Sequence, residues 1–160
     1  MAVVPALTNT PLLLDTDVFS DWRDQRPHTI SAIKEYSKRT KAFPMLTAIT
    51  IFESQFGFES NTARGRVLSE RLMQKRSEMD KLIRTCGVLN FNQPAATIAA
   101  YILARLSKSQ RNEHWADVFI TAIALAHSYG IATRNQRDFE LIGQRLPPYA
   151  PVLYLAIWKS

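Results

Sequence analysis

Leu12, Leu13 and Leu14 form a short unbroken apolar run between Pro11 and Asp15. A run this short, ending in polar residues, predicts a buried parallel strand. "FPMLTAIT", "CGVLNF", "IAT" at 131–133 and "PVLYLAI" have the same apolar character and predict four more strands.

Between these runs the hydrophobic period becomes helical. Ile30, Ile33 and Tyr36 share one face of "HTISAIKEYSKRT". Thr50 with Glu53 three residues on predicts a capping box that opens a helix through "IFESQFGFE". A long polar helix is expected from Asn61 to Arg84, with Val67, Leu68, Leu72, Met79, Leu82 and Ile83 on its apolar side and a break near Gly65. "QPAATIAAYILARLSKS" reads as an amphipathic helix with Pro94 in its first turn, where proline is favoured. After a polar gap, "HWADVFITAIALAHSYG" reads as a buried helix whose apolar run opens at Asp117 and which closes with Gly130 as its C-terminal cap, although "QRNEHW" also reads as a polar loop. "RNQRDFELIG" predicts a loop leading into a short helix that ends at Gly143.

Strands alternating with helices predict a single α/β domain with a mostly parallel central sheet covered by helices on both faces. Residues 1–10 read as a loose N-terminal extension and residues 11–160 as the domain. The 46% apolar and 21% charged composition fits a soluble globular chain. No segment approaches the roughly 20 apolar residues of a membrane helix, and the N-terminus lacks the basic and apolar regions of a signal peptide. The single cysteine, Cys86, excludes an internal disulfide and a cysteine-only zinc site. These features set a cytoplasmic location as the expectation. A net charge of +6 and a pI near 9.7 favour an anionic partner, nucleic acid or acidic protein.

In a parallel α/β sheet the ligand site lies beyond the carboxyl ends of the strands. That places Asp15 at a site edge, although the same residue also suits an N-cap for "TDVFSDW". Glu53, Asp117 and Asp138 likewise border elements expected in the core, with Thr121 one turn beyond Asp117 as a candidate support. Capping and turn chemistry explain each acid alone. Four carboxylates converging at one end of a sheet would repel one another unless a divalent cation neutralised them. Oxygen ligands select Mg²⁺ or Mn²⁺ over zinc, and such a site suits metal-assisted hydrolysis of phosphodiesters. Neither a Walker-type phosphate loop nor a G-x-G-x-x-G turn occurs, so a nucleotide-binding protein is not indicated.

In order, "LLLDTD", "TAITIFESQFG", "ADVFITAIALAHSYGIAT" and "TRNQRDF" resemble the motifs of PIN-domain ribonucleases, in particular the VapC-type toxins of bacterial toxin–antitoxin pairs. The resemblance runs from about Leu12 to the last strand. It implies that Asp15 and Asp117 are the principal metal ligands, and that Glu53 and Asp138 complete the acidic cluster. Thr16 is implied to shape the turn, and Thr133 and Asn135 to support the site. Arg134 and Arg137 are candidate RNA contacts, whereas Arg64, Arg66 and Arg71 read as a solvated helix face. The family's properties further imply a Mg²⁺- or Mn²⁺-dependent endoribonuclease acting on structured RNA of the tRNA or rRNA class. They also imply a homodimer, and a cognate VapB-like antitoxin that covers the site, for which the segment 61–84 is the candidate docking face.

Two departures from the family's pattern stand out. Asp17 replaces the usual Asn after "LDT", which adds either a fifth carboxylate or only a different cap. The segment before the third acid lacks the family's frequent Gly and carries His114 and Trp115, read as an exposed loop. Two alternatives remain open at this stage: a housekeeping PIN nuclease for RNA processing, and a catalytically silent PIN-like interaction module.

Overall fold

The computed structural model describes residues 3–159. Six strands and seven helices are present among them: β1 (Val3–Pro5), β2 (Leu12–Leu14), α1 (Thr16–Arg23), α2 (Pro27–Thr40), β3 (Leu46–Thr47), α3 (Ala48–Ala63), α4 (Glu70–Thr85), β4 (Val88–Leu89), α5 (Gln93–Leu103), α6 (Lys108–His127), β5 (Gly130–Thr133), α7 (Gln136–Gly143) and β6 (Leu153–Ile157).

Every strand pairing is parallel. The main sheet runs β1-β6-β5-β2, and β3 pairs with β4 beside it. The two pieces are stitched together at β2: Leu14 N–H donates to the Met45 carbonyl and Met45 N–H to the Leu12 carbonyl, each at 3.0 Å. Successive strand residues face opposite sides, and the core divides accordingly. Leu13, Ile131, Leu153 and Leu155 pack with α5, α6 and α7, while Leu12, Leu14, Leu46 and Ala132 pack with α1, α2 and α4. The expected α/β domain with both sheet faces covered is the fold observed.

Several local expectations are corrected. Residues 3–5, expected in a loose extension, form an edge strand on β6 with Val3 opposite Leu153. Val3 also packs where the Gly143 side chain would be, since a Cβ there would lie 2.1 Å from Val3 Cγ2. The anchor lies about 150 residues away in sequence, so a three-residue strand gave no local signal. The long polar helix breaks at Gly65 as expected, with φ 71° in the turn, but residues 61–63 complete α3 and α4 starts only at Glu70.

The cap of α3 is Thr47, whose hydroxyl accepts from Thr50 N–H at 3.1 Å, so Thr50 and Glu53 form no capping box. Most consequential is α6, which begins at Lys108 with a capping box between Ser107 and Gln110. "QRNEHW" is therefore helical, and Asp117 lies near the middle of α6 rather than at its start. Gly130 is the first residue of β5, and Ser128 at φ 61° supplies the left-handed C-cap instead. Cys86 is buried among apolar side chains, which pushes its thiol up to about 12.

Candidate metal centre

β2 and β5 are neighbours, and Leu14 pairs with Ala132. The residue after each pairing therefore emerges at the same sheet edge, Asp15 from β2 and Thr133 from β5. Asp15 N–H donates to the Ala132 carbonyl at 3.1 Å, which fixes the chain as it leaves the sheet. Asp15 is also the N-cap of α1: its Oδ1 accepts from Val18 N–H at 2.8 Å. Its second oxygen, Oδ2, accepts from the Thr133 hydroxyl at 2.5 Å. Capping and site placement are thus two uses of one carboxylate.

The other acids arrive from helices. Glu53, in the second turn of α3, accepts at Oε1 from the Thr16 hydroxyl at 2.5 Å. Asp117 comes from α6, and Asp138 from the first turn of α7, where its Oδ2 accepts from the Asn135 amide. Asn135 N–H in turn donates to Thr133 Oγ1 at 3.0 Å, so Thr133 links the supports of Asp15 and Asp138. Thr121, the candidate support for Asp117, has a buried hydroxyl with no hydrogen-bond partner.

Together these side chains line a cleft of about 210 Å³ that also includes Asp17 and Glu113. Six carboxylates border it, and no lysine or arginine does. The charge crowding is visible in their protonation. Burial first, and then the negative charges of Asp15, Asp138, Glu53 and Asp17, push the Asp117 carboxyl up to about 7. Burial likewise raises Asp15 to about 6, against the opposing hydrogen bonds from Thr133 and Val18. Asp17 is exposed in the first turn of α1, so it sits at the cleft wall and near the positive end of the helix dipole.

His114 is not on an exposed loop. It is 6% exposed, and its Nδ1 lies 3.8 Å from Asp117 Oδ2 and 3.9 Å from Asp138 Oδ2. Ligand atoms of His114, Asp117 and Asp138 lie within 4.8 Å of one another, a grouping able to hold a metal ion. Its place one turn before Asp117 on α6 was the available signal, and the misassigned loop hid it. Trp115 packs edge-on against Phe52 and Phe119.

Asp21 was not anticipated at all. It is 6% exposed on α1 and pairs with Arg134 Nη1 at 3.1 Å, with His28 Nε2 at 3.5 Å. Arg134 is thereby held beside Asp15, whose carboxylate feels its charge. Arg137 is exposed on α7.

The donors fit a hard divalent cation: several carboxylate oxygens from four elements, crowded enough to resist joint ionisation, with no cation in the wall. Since Thr133 orients Asp15, Thr133→Val is expected to weaken Mn²⁺ binding by about 10–100-fold, as loss of a ligand's supporting partner commonly does. Titration calorimetry checks this, and Thr133→Ser should restore most of the affinity.

The chain is 31% identical over 134 residues to the VapC ribonuclease Y4jK of Sinorhizobium fredii, spanning 82% of this chain and 92% of that protein. It is 29% identical over 134 residues to the plasmid stability protein StbB of Pseudomonas syringae pv. tomato, spanning 82% and 93%. Among solved structures, VapBC2 from Rickettsia felis bound to a promoter DNA fragment matches with a TM-score of 0.65 at 16% identity, over 92% of this chain and 98% of that one. DNA-bound VapBC from Salmonella typhimurium matches with a TM-score of 0.64 at 18% identity, over 94% and 99%. These two solved structures share the fold. No protein-family model matches the chain.

Proposed function

The chain belongs to the VapC ribonuclease family, and from that premise we propose that it is a Mg²⁺- or Mn²⁺-dependent endoribonuclease. Its substrate is structured RNA of the tRNA or rRNA class, and it acts as the toxin of a type II toxin–antitoxin pair. The observation that carries this reading is the cleft of six carboxylates with no cation in its wall. A silent interaction module has no use for such a cluster, because it costs stability without an ion to offset the repulsion.

Asp15 and Asp117 are the principal candidates to hold the cation, with Glu53 and Asp138 completing the set. His114 stands close enough to Asp117 and Asp138 to join them or to steady both carboxylates. A divalent cation held there would supply Lewis acidity, offsetting charge that develops on the phosphoryl group and lowering the pKa of a water bound to it. The protein's own part is positioning. The end of β2, Val18 N–H and the Thr133 hydroxyl fix Asp15. Thr16 holds Glu53, and Asn135 holds Asp138. Arg134, anchored by Asp21, can meet a backbone phosphate beside the cleft.

Partners follow from the relatives. The neighbouring structures are VapBC complexes, and a VapB-like antitoxin that covers the cleft is part of the proposal, together with a homodimer. No helix among the described residues is long and apolar enough to cross a membrane, and a cytoplasmic site of action is proposed, where the RNA is.

Purified protein incubated with total RNA tests the reading. Cleavage should be lost with EDTA and return with excess Mg²⁺ or Mn²⁺. EDTA-insensitive cleavage would remove the metal from the account, and no cleavage with any divalent ion would favour the silent module. A housekeeping nuclease predicts no neighbouring antitoxin gene, whereas the toxin reading predicts one.

A further inference from the structure

The acidic cleft does not end at Glu53. Thr16 and Glu53 are also the near wall of a second groove, about 290 Å³, between α1, α3 and α4. Arg23 and Lys75 form the far wall of that groove and border a third hollow of about 420 Å³, where Arg26 and Arg71 join them. The three hollows share walls in succession and make one furrow.

Its charge reverses along its length. Carboxylates are the only charged groups lining the first part, whereas Arg23, Arg26, Arg71 and Lys75 outnumber Asp24 and Glu78 in the last. The two ends are separated by the length of α1, about 12 Å for its eight residues.

The basic end is organised rather than merely exposed. Asp24 accepts from Arg23 Nε at 3.0 Å and lies 3.5 Å from Lys75 Nζ, so one carboxylate fixes a cation from α1 and another from α4. Arg71 stands one turn before Lys75 on α4. Midway, Ser54 is 8% exposed and lines the groove, and its hydroxyl oxygen is buried without a hydrogen-bond partner.

We propose that this furrow is the track for the RNA strand on one side of the cleavage point, with backbone phosphates resting on Arg23, Arg71 and Lys75 and Ser54 available to the backbone midway. The proposal rests on the ribonuclease reading above. Phe58 and Leu72 are the main apolar groups in the middle groove, whose remaining walls are hydroxyls, amides and charges. The cations on its far wall and the Ser20 and Ser54 hydroxyls between suit the phosphates and sugars of a nucleic-acid backbone. A strand whose scissile phosphate sits in the metal cleft needs cations at the flanking phosphates, which the furrow supplies a few nucleotides away.

The test is binding of a short fluorescein-labelled oligoribonucleotide by fluorescence anisotropy over a range of KCl concentrations. It uses the Asp15→Asn protein, which should hold RNA without cutting it. Adding Arg23→Ala, Arg71→Ala and Lys75→Ala together should weaken binding at least about tenfold and lower the slope of log affinity against log salt by about 2. Arg105→Ala, outside the furrow, should leave both unchanged. Arg71→Lys tests charge against shape and should retain most of the affinity. Circular dichroism and thermal melting establish that the triple variant is folded.

An unchanged affinity and salt slope in a folded triple variant overturns the track, even while wild-type protein cleaves RNA. Loss of affinity for a poly-glutamate peptide with RNA binding intact would make the furrow a peptide groove and overturn it equally. Failure of the wild-type protein to cleave RNA would overturn both this proposal and the reading on which it stands.

Discussion

Asp15→Asn and Asp117→Asn should each abolish RNA cleavage, lowering the rate by more than about 100-fold, and should relieve growth inhibition on induced expression. Loss of a ligand's supporting partner alone commonly costs about 10–100-fold, and these two residues are the proposed ligands themselves. The variants are informative because they keep the shape of the site. Asparagine is a favoured N-cap, so Asp15→Asn retains an oxygen for Val18 N–H, while its side-chain NH2 can donate to the Thr133 hydroxyl oxygen in place of accepting from it. Asp117 is in the middle of α6, and a neutral amide there removes charge repulsion without creating a cavity. Initial rates on total RNA, with circular dichroism as the folding control, measure the effect. Wild-type rates in both variants would remove the acidic cluster from the mechanism.

The same crowding predicts an unusual dependence of stability on pH. Asp15 and Asp117 titrate at about 6 and about 7 in the cation-free fold, against an ordinary 3.8. A carboxyl raised on folding contributes stability that is fully present below its unfolded value and is lost as the pH rises through its folded value. Metal-free protein is therefore expected to lose stability from about pH 4 to about pH 8. The buried Asp15 alone corresponds to about 3 kcal/mol, on the order of 5 °C or more in Tm. Asp24 works in the opposite sense: its carboxyl is lowered by Arg23 and Lys75 against the cost of burial, so its contribution disappears only in stronger acid. Added Mg²⁺ binds the ionised form and should raise Tm most at neutral pH and above, and little at pH 5. Asp117→Asn should melt higher than wild type in EDTA at pH 7.5 and gain less from Mg²⁺. Thermal melts across pH, with and without the ion, check each sign.

What the sequence disclosed depended on how local its signal was. "LLLD" was legible because an apolar run that stops at a carboxylate states both the strand and its delivery of Asp15 to the sheet edge. "RNQRDFELIG" was legible for the same reason: its turn residues and helix lie within ten positions, and α7 follows that reading.

The start of α6 is poorly legible because hydrophobic periodicity is nearly absent from Lys108 to Glu113 and becomes dense only at Val118. The Ser107–Gln110 capping box was a usable signal that the apolar pattern outweighed. That one error moved Asp117 to a helix end and put His114 in solvent. Asp21 was invisible for a different reason. Its partner Arg134 lies 113 residues away, and nothing near Asp21 distinguishes a buried acid from a solvated one. Arg71 reads as a solvated residue from the sequence, and only the packing of α4 beside α1 puts it in a furrow with Arg23. Asp17 has moved from a substitution of unknown weight to a carboxylate in the cleft wall that raises Asp117.

Mapping RNA 5′ ends across the transcriptome after induced expression, in parallel with the Asp15→Asn protein, tests the central claim most directly. New ends confined to a few positions in structured RNA of the tRNA or rRNA class, present with wild type and absent with Asp15→Asn, are the predicted result. The same ends in both samples, or no new ends with either, would contradict the account.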